Sequence, residues 1–262
     1  MPCGDKPEPE GSEPVTAAAG LTPDVGPHWL APLIENVGRV PDAYRGRLPR
    51  ELLAALSAAG GIANATGSGR DAAVLVLFSG ESADEADLLL TVRAGTLRHH
   101  AGQAAFPGGG VEAGDSGPVS TALRAAQEET GLDPSRLHPL ATMERMFVPP
   151  SGFHVGPVLA YSPAPGPVAV VDPAETAMVA RVPLRAFINP DNRIMVYRTG
   201  LSRRYAGPSF LLNDMLVWGF TGHVISAMLD VAGWAQPWNT KDVRELDEAM
   251  TLVGSDSEEP LL

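Results

Sequence analysis

The chain has 262 residues, 44% of them hydrophobic, and a formal net charge of −12. That is enough apolar material for one sizeable core, and the acidic balance argues against a general nucleic-acid binder, whose surface is normally basic. The single cysteine, Cys3, rules out an intramolecular disulfide and fits a reducing compartment.

Residues 1–26 are rich in Pro, Gly, Glu and Ala and lack aromatics, which describes a solvated tail with no signal-peptide core. Helices are predicted at 29–37 and 49–59, the second with Pro49 in its first turn, where a missing N–H costs little. The run 72–79 (AAVLVLFS) has the pattern of a buried strand, and 80–87 that of a charged hairpin loop leading to a partner strand at 88–93. Residues 72–78 form the longest apolar run, far too short to cross a bilayer. A short strand is expected at 103–106, before the glycine cluster Gly108-Gly109-Gly110. The helix at 117–130 has Pro118 in its first turn, Gly131 as its stop, and Val119, Leu123, Ala126 and Thr130 at helical spacing. Strands follow at 137–147 and 153–161 around a Pro149-Pro150-Ser151-Gly152 turn, then at 177–184, 193–197 and 203–210. A long apolar helix is expected at 215–231, and an acidic tail at 251–262. The expectation is a single cytoplasmic α/β domain over 27–250, with no membrane segment and no parallel βαβ repeat.

Three features between residues 88 and 132 bear on chemistry. No Asp or Glu occurs from 88 to 111, whereas Arg93, Arg98, His99 and His100 do. This is either a cationic strip suited to phosphates or a chance cluster on a solvated loop. Gly108-Gly109-Gly110 either lets backbone approach a ligand or makes a tight turn. On the helix, adjacent Glu128 and Glu129 repel each other without a counterion, and Arg124 lies one turn before Glu128. The pair is either part of a solvated face or a carboxylate cluster for a hard divalent cation, which needs few protein ligands because it retains water.

Together these features resemble the Nudix box. Gly109 matches its opening glycine, Asp115 stands where its first Glu is expected, and Arg124, Ala126, Glu128, Glu129, Gly131 and Leu132 match its second half. The upstream residues Leu89, Thr91, Arg93, Leu97, Arg98, His100, Gly102 and Phe106-Pro107-Gly108-Gly109 are similar to the longer signature of the coenzyme A pyrophosphatases in that family. So are Val148-Pro149-Pro150, Pro157-Val158, Glu175 and Trp218-Gly219 further along. Two departures stand out. Eight residues rather than seven separate Asp115 from Arg124, and Ala125 occupies the position of a Glu that serves the family as metal ligand or base.

The resemblance implies an α/β/α sandwich around a mixed sheet. It also implies hydrolysis of the diphosphate of coenzyme A or an acyl-CoA, with Mg²⁺ or Mn²⁺ neutralising the phosphates. Glu128, Glu129, Arg124 and Glu175 are then the catalytic candidates, and Glu128, Glu129, Asp115 and Glu112 the metal candidates. Arg93, Arg98, His100, Gly108 and Gly109 would contact the substrate. The expected partner is a small nucleotide derivative, neither nucleic acid nor membrane, and a homodimer is left open. Ala125 keeps a second reading alive: a weakened domain that binds a nucleotide or CoA as a sensor.

Overall fold

The computed structural model describes residues 20–67, 69–95, 102–148, 151–198 and 205–253. Among the described residues the first elements are three short 3₁₀ turns and three helices, α1 (Ala31–Asn36), α2 (Val40–Arg45) and α3 (Arg50–Thr66). The predicted helix at 29–37 is thus broken, 3₁₀ at His28–Leu30 and Val37–Arg39 and α-helical between. The helix predicted to end at residue 59 runs on to Thr66, because Gly60 and Gly61 do not interrupt it.

The main sheet, among the described residues, has eight strands: β1 (Arg70–Ser79), β2 (Asp87–Arg93), β3 (Ala104–Ala105), β4 (Gly108–Gly110), β5 (His138–Thr142), β6 (Met146–Val148), β7 (Phe153–Ser162) and β8 (Thr176–Pro183). Helix α4 (Pro118–Thr130) lies between β4 and β5. β1 runs parallel to β7 over its whole length, and the other pairings in this sheet are antiparallel. The sheet is therefore mixed, as expected. Being central, β1 is buried on both faces, which explains its unbroken apolar run. Ala73, Leu75 and Leu77 face α4 through Ala122 and Ala126. Val76 and Phe78 join the opposite layer with Leu33, Tyr44, Val224 and Met228. The period of two along β1 thus divides the core between two helical layers.

After β8 come α5 (Leu184–Ile188) and a second sheet of β9 (Arg193–Tyr197), β10 (Gly207–Leu212), β11 (Met215–Val217) and β12 (Val243–Glu245), with α6 (Gly219–Val231) and α7 (Leu246–Thr251). The long helix predicted at 215–231 loses its first three residues to β11, which pairs Leu216 with Leu211 in a hairpin. The apolar start of that stretch, residues 215–220, carries no signal separating the two. The single strand predicted at 137–147 is two, β5 and β6, both paired to β7. β12 and α7 escaped the sequence reading.

The segment read as tail ends earlier than residue 26. Residues 20–26 are described and dock on β5: the Thr22 N–H donates to the Pro139 carbonyl at 2.7 Å, and Gly26 sits against Ile34 and Leu140. No helix among the described residues is long and apolar enough to cross a membrane.

Candidate active site

The glycine cluster is a strand, not a turn. Gly108, Gly109 and Gly110 pair with Val74, Ala73 and Ala72 of β1. A β-carbon on Gly108 would lie 2.4 Å from the Ala73 carbonyl oxygen and 2.6 Å from the Val74 Cα, so only glycine fits. One on Gly109 would lie 3.2 Å from the Ala125 Cβ. α4 therefore crosses β4 with small residues on both sides, and Ala125 is only 4% exposed. The helix stops at Gly131, which takes the left-handed conformation (φ 67°) and donates to the Gln127 carbonyl.

Arg124 is the hub of the loop ahead of α4. Its Nε donates to Asp115 Oδ1 (3.0 Å), Nη1 to Glu128 Oε2 (2.9 Å) and Glu112 Oε1 (3.2 Å), and Nη2 to Asp115 Oδ2 (2.9 Å) and the Gly110 carbonyl (2.8 Å). All five guanidinium donors are used. Asp115 also accepts from the Thr121 hydroxyl and the Glu112 N–H, both at 2.9 Å. Three of the four bonds fall on Oδ2 and one on Oδ1, and the Arg124 bond in particular holds its carboxyl well below the usual range. Glu112 and Glu128 are mostly exposed, 66% and 59%, and each keeps an oxygen not bonded to Arg124.

Glu129 points to a different neighbourhood, as adjacent residues on a helix must. Its carboxyl lies beside Gly108, Thr91, Arg93 and Glu175, and the Thr91 hydroxyl itself donates to the Ala105 carbonyl at 3.4 Å. Burial pushes its pKa up to about 7, and the Glu175 charge adds to the rise; Arg93, Gly108 and Thr91 oppose it. Glu175 is brought there by the bulge at Val92/Arg93, where Ala94 donates its N–H to the Glu175 carbonyl at 2.9 Å. Arg93 keeps a buried Nε with no hydrogen-bond partner among the described residues.

The expected acids thus divide. Glu112, Asp115 and Glu128 gather on Arg124; Glu129 and Glu175 gather near Arg93. Among the described residues no three acidic, histidine or cysteine side chains converge as a ready-made metal cage. This corrects the picture of a single carboxylate cluster, because consecutive Glu128 and Glu129 leave the helix in different directions. Asp115 anchors the loop through Arg124, Thr121 and the Glu112 N–H. Arg98 and His100 lie outside the described residues. Thr91 joins this neighbourhood through strand alternation, since on β2 it shares a face with Leu89 and Arg93.

The profile of the NUDIX domain matches residues 69–198, from β1 to the end of β9. An uncharacterized Nudix hydrolase NudL of Yersinia pestis (strain Pestoides F) is 35% identical over 143 residues, covering 54% of this chain and 70% of the relative. The chain belongs to the Nudix family. A NudL of Yersinia pseudotuberculosis (serotype O:1b) matches to the same extent. A Nudix hydrolase from M. smegmatis, RenU, superposes with a TM-score of 0.44 at 20% identity, over 65% of this chain and 91% of that one. As a Nudix hydrolase the protein is an enzyme of diphosphate bonds, in a family that generally uses divalent metal ions.

The donors present suit such an ion. Mg²⁺ and Mn²⁺ prefer carboxylate oxygens and retain water, so one or two carboxylates plus substrate phosphate complete a shell. Glu129 is a half-buried acid short of counter-charge, and Glu175 beside it adds to the deficit, a pair that a cation would relieve.

Proposed function

We propose that this Nudix enzyme hydrolyses the diphosphate of coenzyme A or an acyl-CoA, giving 4′-phosphopantetheine (or its acyl form) and adenosine 3′,5′-bisphosphate. The observation that carries the reading is convergence. Thr91, Arg93 and Gly108, three residues of the coenzyme A pyrophosphatase signature separated in sequence, all meet the box residue Glu129.

Glu129 would hold Mg²⁺ or Mn²⁺ together with substrate phosphate and water, which leaves the neighbouring Glu175 as the base. The metal supplies charge neutralisation of the diphosphate and acidifies a bound water. Arg93, with an unused buried donor, binds a phosphate oxygen. Glu175, exposed at the end of its loop, takes the proton from the attacking water. Water adds to one phosphorus, the bridging P–O bond breaks, and the leaving phosphate carries the bridging oxygen away. Arg124 and Asp115 act through others: they lock the loop from Gly110 to Glu128 in place.

Ala125 favours a second reading, a nucleotide- or CoA-binding sensor of low activity, because its contact with Gly109 fills space where the family carries a carboxylate. A hydrolysis screen with Mn²⁺ over CoA, acyl-CoAs, ADP-ribose, NADH and dinucleoside polyphosphates, with products identified by mass, separates the two. Cleavage of CoA species to the bisphosphate supports the enzyme. Tight binding without turnover supports the sensor.

A further inference from the structure

We infer that Asp172 is a positioning residue for the reaction: it caps a single turn of chain, 172–176, that sets Glu175 beside Glu129. The inference rests on the reading of Glu175 as the base. The turn reads Asp172-Pro173-Ala174-Glu175-Thr176. Asp172 Oδ1 accepts the Ala174 N–H at 2.8 Å. The Asp172 carbonyl accepts the Glu175 N–H at 3.1 Å and the Thr176 N–H at 2.9 Å. This is the bonding of a helix N-terminus, where the side chain of the cap takes a first-turn donor that has no carbonyl partner. Pro173 follows the cap, a position that suits its fixed φ and does not need its missing N–H. A lone turn is unfavourable in water, because it fixes several residues for very few bonds. The cap therefore decides whether it persists.

Both ends of the turn are tied to the candidate site. Ahead of it, Val171 donates its N–H to the Glu129 carbonyl at 3.4 Å, and Ala169 donates to the Thr130 carbonyl at 2.9 Å. These carbonyls belong to the last turn of α4 and have no partner within the helix. Behind it, the Glu175 carbonyl accepts the N–H of Ala94, the residue after Arg93, at 2.9 Å. Residues 171–175 thus bridge the backbone of Glu129 and the end of β2. With both ends held, the cap sets the backbone between them, and with it the direction in which Glu175 leaves the chain.

Asp172 acts through Glu175 and is not a ligand or base of its own. The charged side chains that act on the Glu129 carboxyl are Arg93 and Glu175, whereas Asp172 gives Oδ1 to a backbone N–H of its own turn. Asp172 is also exposed and belongs to none of the core clusters, so replacing it leaves the core intact.

The test is kcat and KM at saturating Mn²⁺ on CoA or, where only that is cleaved, on ADP-ribose. The variants are Asp172→Ala, Asp172→Asn, Glu175→Gln and the double variant Asp172→Ala with Glu175→Gln. Asp172→Ala should lower kcat about fivefold, the factor lost with a cap, and change KM by less than about twofold. Asp172→Asn, which caps as Asp does but carries no charge, should keep kcat within about twofold of the wild type. In the Glu175→Gln background Asp172→Ala should cost nothing more, because the two residues act as one unit. Melting curves with and without Mn²⁺ check that each variant is folded and still takes up the ion. An Asp172→Asn as slow as Asp172→Ala overturns the inference, since the charge and not the cap would then matter. Additive losses in the double variant overturn it too, as does wild-type kcat in Asp172→Ala. With Glu175→Gln itself slow, each of these three results leaves the base reading intact. Full activity in Glu175→Gln, or no turnover of either substrate by the wild type, defeats the base reading and the role of Asp172 with it.

Discussion

Burial holds the Glu129 carboxyl near pH 7 instead of its ordinary 4.5, with Glu175 adding to the rise. Between about 4.5 and 7 the folded protein retains a proton that the unfolded chain has released, so without metal its stability falls as pH rises through that window. Glu129→Gln should flatten this dependence, worth roughly 1–3 kcal/mol across the window, as read by urea melts in EDTA at pH 5 and pH 8. A metal competes for the same lone pairs, so the melting shift caused by Mn²⁺ should grow as pH rises through 7 in the wild type and be largely lost in the variant. A shift independent of pH would place the ion elsewhere. Ala125 is the other informative residue. Its contact with Gly109 means that Ala125→Glu must displace packed backbone, at a cost of roughly 1–3 kcal/mol in EDTA, more than like-charge repulsion on an open helix would cause. With saturating Mn²⁺ part of that loss should be recovered and CoA turnover should rise about tenfold or more. An unchanged rate would mean that Glu175 or Glu128 already fills the role.

At the scale of elements, the segment at 20–26 behaves as part of the domain. Removing residues 1–19 should leave the melting temperature unchanged, as their composition offers no apolar face. Extending the deletion through residue 26 removes the Thr22 bonds to Pro139 and the Gly26 contact with Ile34 and Leu140. That should cost roughly 1–2 kcal/mol in denaturant melts. Equal stability of the two truncations would show the contact to be idle. The junction of β9 with α6 supports a second expectation. Arg193 is 3% exposed, donates to Ser226 Oγ at 2.7 Å, lies 4.5 Å from the Trp238 ring, and leaves Nε and Nη1 without partners among the described residues. Burial lowers its pKa to about 10. An arginine desolvated to this extent returns little stability, so Arg193→Met should be neutral or stabilising by up to about 2 kcal/mol. A large loss would reveal a bound anion or water at those nitrogens.

For the whole molecule the net charge of −12 opposes an anionic substrate. Divalent metal should therefore do more than catalyse: at about a hundred times its Kd it should raise unfolding free energy by about 2.7 kcal/mol, reversed by EDTA. CoA alone, without metal, should raise the melting temperature far less than CoA with metal. Comparable shifts with and without metal would contradict the charge argument.

The box, the glycine stop of α4, the buried strand β1 and the mixed α/β order were legible in the sequence, because period, capping and spacing are local properties. Residues Thr91, Arg93, Gly108 and Glu129 could be named from a motif, but their meeting at one carboxyl depends on the antiparallel run of β2 and the register of β4 on β1. The separation of Glu128 from Glu129, the capture of Asp115 by Arg124, and the conversion of three glycines into a strand were likewise beyond it. Each is decided by which surface lies opposite, and a sequence specifies its own faces without saying what they will meet.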